Sequence, residues 1–510
     1  MDTIATILSS VLAPGPFLAM IGSSILGVFI GALPGLNPVM AIALLLPLTY
    51  SMDPLVALAM VAGIYNGSMY GGAIPAILLR IPGTPAAIAT TFDGYPMAQK
   101  GEAARALKIA CWSSAIGGTA SALALITVGP LLARATLAFG PAEYFWIAVF
   151  GMASVGVLVG NDAVKGLMAA VFGLLLGTVG LDQLSGVPRY TFGQTWLLSG
   201  LDLIVILVGL YAMPPVLSLA EKADLSGLSS RDLKLEAVRV PWSEIKSIIP
   251  TWIRSSLIGI GVGILPGAGG NVAAFLSYNA AKNASDDPKS FGKGNPNGVA
   301  AAECGNNADN AASMIPALAL GIPGNVVAAL VLGALLIHGL QPGPQLFHQN
   351  PQLVGGFMVE MLLTSLIILV VGGAAATRVF AQVQRLPGVL LVPSVLVLMT
   401  VGVYVINGRV VDLWIMFAAG ACGYFLEKMS VPLAPIVLGL ILGPMAEQNI
   451  RRALLISRGD VTELVTRPIS ATIAVATLAL IVWPIATAIL RRRKAAREPA
   501  NTAPQDRTTP

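Results

Sequence analysis

Four short stretches of this 510-residue chain place a helix-starting residue inside an apolar run. Asn37-Pro38 precedes Val39 to Leu48, Thr84-Pro85 precedes an Ala-rich run, Gly269-Gly270-Asn271 precedes Val272 to Leu276, and Asn325 precedes Val326 to Ile337. Asn and Thr are good N-caps, and Pro fits the first helical position, where its missing N–H costs nothing. A helix N-terminus at interior depth presents unpaired N–H groups and the positive end of the helix dipole. It therefore attracts an anion without any charged side chain. Just ahead of these starts stand Leu33-Pro34-Gly35, Ile81-Pro82-Gly83, Leu265-Pro266-Gly267 and Ile322-Pro323-Gly324. Breaks of this kind free carbonyl oxygens that suit a hard cation such as Na⁺. The chemistry on offer is reversible binding of an anion with a cation beside it. Pro and Gly can also merely kink packed helices. Four breaks in matched pairs favour the binding reading.

Polar side chains reinforce these breaks. Tyr65-Asn-Gly-Ser68 and Asn306-Asn-Ala-Asp-Asn310 occupy corresponding places, Asn66 mapping onto Asn307. An Asn in an apolar helix can serve as interhelical glue or as a ligand. Asp309 is costlier to bury, so it is an ion ligand, a proton carrier or a partner of Arg80. Glu303 lies nearer a polar loop. The candidate substrate- and ion-binding set is Pro34, Gly35, Asn37, Asn66, Ser68, Arg80, Pro82, Gly83, Thr84, Gly267, Asn271, Asn306, Asn307, Asp309, Gly324 and Asn325. His338 and His348 stand alone, without a partner at a ligand spacing. Cys111, Cys304 and Cys422 show no pairing or metal pattern and read as packing residues. The chain has no His-Glu-x-x-His, no Gly-x-Ser-x-Gly and no phosphate-binding Gly-x-x-x-x-Gly-Lys-Ser/Thr loop, so no enzyme and no cofactor is expected.

The elements that hold these residues are duplicated. Ser23-Ser-Ile-Leu-Gly-Val-Phe-Ile-Gly-Ala-Leu-Pro-Gly35 returns as Ser255-Ser-Leu-Ile-Gly-Ile-Gly-Val-Gly-Ile-Leu-Pro-Gly267, offset by 232 with seven of thirteen positions identical. Ile74-Pro-Ala-Ile-Leu-Leu-Arg-Ile-Pro-Gly83 returns as Ile315-Pro-Ala-Leu-Ala-Leu-Gly-Ile-Pro-Gly324, offset by 241 with seven of ten identical. The polar stretch 282–298 accounts for the difference in offset and reads as an exposed loop. Matched broken helices in two halves are the best sequence pointer to a transport site between repeats.

A mean hydropathy of +0.80 and 11% charged residues place the chain in a bilayer, since an aqueous globule carries about a quarter charged. Apolar runs of spanning length include 105–130, 142–160, 201–219, 355–377, 387–406, 411–426 and 468–490. The expected fold is an all-α integral membrane protein of about twelve spans, with two inverted-topology repeats containing broken helices and re-entrant hairpins. The expected division is a first repeat at 1–219, a polar connecting loop at 220–250, a second repeat at 251–490 and a disordered cytoplasmic tail at 491–510. Residues 1–79 contain no Lys or Arg, which argues against a cleaved signal peptide and puts the N-terminus outside. The approach to the second repeat instead carries Lys222, Arg231, Lys234, Arg239, Lys246 and Arg254. Opposite charge bias at equivalent places is the argument for inversion. Arg451, Arg452, Arg458 and Arg467 resist the scheme, which then needs an interfacial or re-entrant helix at 447–467, or a different span count. The net charge of +5 sits in loops and in Arg491-Arg-Arg-Lys494, the pattern of a membrane protein rather than of nucleic-acid binding.

Taken jointly, several motifs resemble the large membrane subunit of the bacterial tripartite tricarboxylate transporters, over nearly the whole chain. They are Gly31-Ala-Leu-Pro-Gly-Leu36, Ile81-Pro-Gly-Thr-Pro85, Asp93-Gly-Tyr-Pro-Met-Ala-Gln-Lys-Gly101, Gly263-Ile-Leu-Pro-Gly-Ala-Gly269, Phe291-Gly-Lys-Gly294, Gly298-Val-Ala300, Asn306-Asn307, Leu320-Gly-Ile-Pro-Gly324 and His338-Gly-Leu-Gln-Pro-Gly343. The resemblance implies an inner-membrane permease driven by a Na⁺ or H⁺ gradient. It would pair with a small membrane subunit and receive citrate or a related organic acid from a periplasmic solute-binding protein, with an elevator-like movement. A passive channel or a permease for a non-carboxylate solute is the alternative, and a membrane-embedded enzyme fits least. Three positions depart from the family's pattern. Arg80 stands where a small polar residue, commonly Asn, is usual; Asp309 where a small residue is; and Asn325 replaces a Ser. Arg80 is expected either to pair with Asp309 or to bind an extra substrate carboxylate.

Overall fold

A computed structural model describes residues 2–33, 36–158, 162–182, 184–221, 240–373 and 388–495. Pro34 and Gly35, most of the connecting loop with Lys222, Arg231, Lys234 and Arg239, and the tail from 496 lie outside the described residues. The last helix, Pro468–Ala495, runs into the segment expected as tail.

The first half runs through α1 (Asp2–Val11), α2 (Pro14–Ala32), α3 (Pro38–Leu45), α4 (Pro54–Gly71), α5 (Ala73–Leu79), α6 (Ile88–Gln99), α7 (Ala103–Thr136), α8 (Pro141–Leu158), α9 (Ala163–Gly177) and α10 (Leu203–Glu221). The second runs through α11 (Trp242–Ile264), α12 (Gly269–Asn283), α13 (Pro296–Ala312), α14 (Met314–Leu320), α15 (Val326–Ile337), α16 (Pro344–Gln349) and α17 (Pro351–Val371). Helices Gly388–Asn407, Val410–Lys428, Ala434–Ile456, Glu463–Thr466 and Pro468–Ala495 follow. Among the described residues the fold is all-α apart from two paired two-residue strands, Gly180–Leu181 and Pro188–Arg189. Among the described residues, six helices are long and apolar enough to cross a membrane: α2, α7, α10, α11, α17 and Val410–Lys428. Others, such as Val326–Ile337, are shorter because the Pro-Gly breaks cut potential spans in two.

The duplication extends to single hydrogen bonds. Leu33 and Leu265, 232 apart, end α2 and α11 in the same extended conformation, with each N–H turned back to the carbonyl three residues earlier. Ile81 N–H donates to Pro75 O and Ile322 N–H to Pro316 O, both at 3.3 Å. Gly83 N–H donates to Gly72 O at 3.2 Å and Gly324 N–H to Ser313 O at 3.3 Å. Each of these pairs is separated by the 241 offset read from the sequence.

Small residues bring the repeat helices together. On α2 and α4, Gly27, Gly31, Gly63, Gly67 and Gly71 recur every four residues, so backbone rides on backbone; a Cβ on Gly27 would come within 2.7 Å of Ile64 O. On α11, Gly259 and Gly263 meet Ala308 and Ala312 of α13 in the same way. The halves then interlock, α7 lying along α13 and α17 along α4. Asn66 on α4 donates to Thr364 Oγ1 at 2.8 Å and Ser365 Oγ at 3.2 Å on α17, and accepts from Asn310 Nδ2 at 2.9 Å. Glu303, fully buried on α13, accepts from Thr90 Oγ1 at 2.5 Å and Ser114 Oγ at 3.0 Å.

At 447–467, Glu447 and Arg451 belong to the continuous helix Ala434–Ile456, and a turn then leads to Glu463–Thr466. Several charges of this segment are paired with neighbouring elements. Arg451 reaches Asp182 at 2.7 Å and Glu447 at 2.6 Å, Arg189 reaches Glu447, and Arg467 reaches Glu143. The Ser185 hydroxyl, Arg451 and the Leu184 amide hold the Asp182 carboxyl well below the usual carboxylate range.

Candidate functional site

Three of the expected N-caps form as read. Asn37 Oδ1 accepts from Met40 N–H at 2.8 Å, Thr84 Oγ1 from Ala87 N–H at 3.2 Å and Asn325 Oδ1 from Ala328 N–H at 2.9 Å. Thr84 and Asn325 are themselves 241 apart. The fourth start differs: α12 begins at Gly269 without a side-chain cap, and Asn271 lies inside its first turn. Gly267 and Gly269 adopt positive φ, which lets the chain turn tightly into α12.

All four helix starts converge on one cavity of about 410 Å³. Asn37-Pro38-Val39, Thr84-Pro85-Ala86, Gly267 to Val272 and Asn325-Val326-Val327 line it, together with Tyr65, Met69 and Asp309. Val155 of α8 and Ala434 and Leu438 of helix Ala434–Ile456 close one side. No Lys or Arg is among the described lining residues. Thr84 caps a three-residue 3₁₀ turn, Pro85–Ala87, that leads into α6, and the other three starts open α-helices; such N-termini carry up to about +0.5 each, against the one carboxylate of Asp309.

Asp309 is fully buried on α13, and its Oδ2 accepts from Asn325 Nδ2 at 2.7 Å. The same amide donates to Tyr65 Oη at 2.9 Å. Because the Asn325 oxygen is committed to its cap, the NH₂ must face Asp309 and Tyr65. Asp309 Oδ1 makes no hydrogen bond of good geometry among the described residues, and the Gly270 backbone N–H lies near the carboxylate.

Of the sixteen residues read as a site, Asn37, Thr84, Gly267, Asn271, Asp309 and Asn325 line the cavity. Pro34 and Gly35 lie outside the described residues. Asn66 is turned away into the helix contacts given above. Ser68 spends its hydroxyl on Ile64 O at 2.6 Å in its own helix. Asn307 donates to Glu303 O at 2.9 Å. Pro82, Gly83 and Gly324 form the breaks without reaching the cavity wall; Gly83 packs on Gly72 and Gly324 on Ser313. Asn306 is buried with neither amide atom bonded, its Oδ1 so close to Gly270 that an added Cβ there would come within 2.6 Å. Tyr65 stood in the polar stretch Tyr65-Asn-Gly-Ser68 but outside the candidate set, and Met69, Val155, Ala434 and Leu438 escaped the sequence reading. Tyr65 and Met69 are four apart and share a face, a spacing that could have marked them. Val155, Ala434 and Leu438 carry no local signal.

Arg80 does not pair with Asp309 and does not line the cavity. It is exposed at the end of α5, its guanidinium carbon 5.9 Å from the Tyr95 ring centroid. Its backbone is left-handed, φ 60°, as is that of its counterpart Gly321, φ 74°. A left-handed non-Gly residue costs about 1–2 kcal/mol, least for Asn. Arg80→Asn is therefore expected to stabilise the protein by up to about 1 kcal/mol and leave substrate affinity unchanged; thermal unfolding and a binding isotherm check both.

A family model described as "Tripartite tricarboxylate transporter TctA family" matches residues 17–438, a span that contains every cavity residue from Asn37 to Leu438. The chain belongs to the tripartite tricarboxylate transporter TctA family. An uncharacterised 52.8 kDa protein in the TAR-I ttuC′ 3′ region of Agrobacterium vitis is 37% identical over 472 residues, 92% of this chain and 93% of that protein. A second, from the TAR-II ttuC′ 3′ region of the same organism, is 35% identical over 232 residues, 46% of this chain and 96% of that protein. No solved structure matches. Membership of the TctA family makes this chain one component of a tripartite transport system, a multi-pass membrane protein of a transporter family rather than of an enzyme family.

Proposed function

We propose that the chain carries a tricarboxylate or related organic acid into the cell across the bacterial inner membrane, as the ion-gradient-driven permease subunit of a secondary transporter. The observation that carries this reading is the convergence of four helix N-termini on one cavity without a cationic side chain. Carboxylate oxygens accept from such N–H groups, and binding of this kind is reversible, as a carrier requires. A periplasmic binding protein delivers the acid, and a small membrane subunit completes the complex. The halves 1–219 and 251–490 run in opposite senses, a reading supported by the charge bias of equivalent loops. Movement is elevator-like, the broken helices and the cavity sliding past a scaffold, with Na⁺ or H⁺ supplying the energy.

The test is uptake of labelled mono-, di- and tricarboxylates into proteoliposomes holding this chain, its small subunit and loaded binding protein, under an imposed Na⁺ or H⁺ gradient. Saturable uptake of one acid that collapses with one gradient is expected. Asn37→Ala and Thr84→Ala should each weaken half-saturation about five- to tenfold, since losing an N-cap costs about 1 kcal/mol at the N-terminus that holds the anion. Uptake that neither saturates nor follows a gradient would point to a passive pore.

A further inference from the structure

The two halves are alike in backbone but not in charge. Asp309 occupies the place that Ser68 holds in the first repeat, 241 residues earlier, where the hydroxyl bonds back to its own helix. A single carboxylate therefore stands among four helix N-termini, on one side of an otherwise pseudo-symmetric cavity. It is fully buried, no Lys or Arg is among the described residues lining the cavity with it, and its Oδ2 accepts from the neutral Asn325 amide. One oxygen, Oδ1, is left without a hydrogen bond. An anion arriving at the N-termini would meet the ionised form of Asp309 at close range and be repelled by it. A cation between them converts the repulsion into two attractions.

Resting on the carboxylate reading above, we propose that the cavity is a paired site: the substrate carboxylate at the helix N-termini and a cationic centre at Asp309 Oδ1. The cationic centre is either a Na⁺ ion or an ammonium group carried by the substrate itself. Both accept the same geometry, a buried carboxylate oxygen with a free lone pair. Neighbouring Tyr65 lines the same cavity, and its Oη accepts from the Asn325 amide that also holds Asp309.

The test measures equilibrium binding to the full-length chain in nanodiscs, for labelled acids that differ only by an amino group, succinate against aspartate and glutarate against glutamate, each in NaCl and in choline chloride. Citrate is included as the tricarboxylate. Wild type is expected to bind an acid with an affinity about tenfold or more higher in Na⁺, or an amino acid about tenfold or more tighter than its partner without Na⁺. The first result assigns the cation to the medium and the second to the substrate. Asp309→Asn keeps an acceptor for Asn325 and should abolish whichever dependence is found, whereas Asp309→Glu should keep part of it; unfolding temperatures confirm that both variants fold. A wild type with neither dependence, or an Asp309→Asn protein that retains the wild-type dependence, overturns the paired site while leaving carboxylate binding intact. Failure of wild type to bind any acid overturns the carboxylate reading and the paired site together.

Discussion

Asp93→Ala is expected to destabilise the protein by about 3–5 kcal/mol, the cost of leaving several neutral donors at once without the carboxylate that accepts from them. Asp93 is fully buried on α6, yet its partners lie in the second half. Its Oδ1 accepts from the backbone N–H groups of Gly292 at 2.9 Å, Gly294 at 2.8 Å and Asn295 at 2.7 Å, and its Oδ2 accepts from Tyr278 Oη at 2.8 Å. Three backbone donors and a phenol would lose their acceptor at once; the phenol is buried and carries a desolvation cost of about 1–3 kcal/mol, while the amides of exposed Gly292 and half-buried Gly294 and Asn295 regain part of theirs from water. Gly292 and Gly294 hold positive φ, so this turn has little conformational preference of its own without the carboxylate. Asp93→Asn keeps an oxygen for the three amides and should lose only about 1–2 kcal/mol. Thermal unfolding in detergent ranks the variants, with the exposed Asp286→Ala as a near-neutral control. Equal losses for Asp93→Ala and Asp286→Ala would show that the turn stands on its own. The effect should reach the cavity, because this turn joins α12, whose first residues line it, to α13, which carries Asp309.

Gly67→Leu should be at least as damaging, by about 3 kcal/mol or more. A Cβ at Gly67 would lie 2.5 Å from Ser24 O and 3.0 Å from Val28 N. Both are backbone atoms of α2, and backbone cannot rotate aside as a side chain can. The helices must separate, carrying with them Asn37, which caps α3 at the cavity. Gly22→Leu on the same α2 is the control, since nothing lies within 4 Å of its Cβ position. Size-exclusion profile and unfolding temperature should be near wild type for Gly22→Leu and degraded for Gly67→Leu. Similar behaviour of the two would mean that α2 and α4 do not depend on close approach.

What the residues declare by themselves is local. A Pro-Gly pair closing an apolar run stops a helix, although single Pro and Gly residues such as Pro130, Pro250 and Gly67 sit inside helices, and Asn and Thr start them, so the breaks at Leu33 and Leu265 and the caps Asn37, Thr84 and Asn325 were all legible, together with their duplication. The all-α class followed from apolar runs too long for strands. The first turn of α12 was misjudged because glycines permit a start without declaring its first residue. Which polar residue faces the cavity was not legible, since it depends on the rotation of each helix against its neighbours. Asn66 and Tyr65 are adjacent in the chain, yet Tyr65 lines the cavity while Asn66 is bound to α17, nearly 300 residues away. Asp93 and its three amides meet for the same reason, across about 200 residues. Arg80 and Asp309 looked complementary as opposite charges, but charge sets no direction, and the left-handed end of α5 carries Arg80 to the surface. Tertiary packing decided these placements, because the backbone contacts of Gly27, Gly31, Gly67 and Gly71 fix how far each helix is turned, and a rotation of one residue, about 100°, exchanges a ligand for a packing side chain.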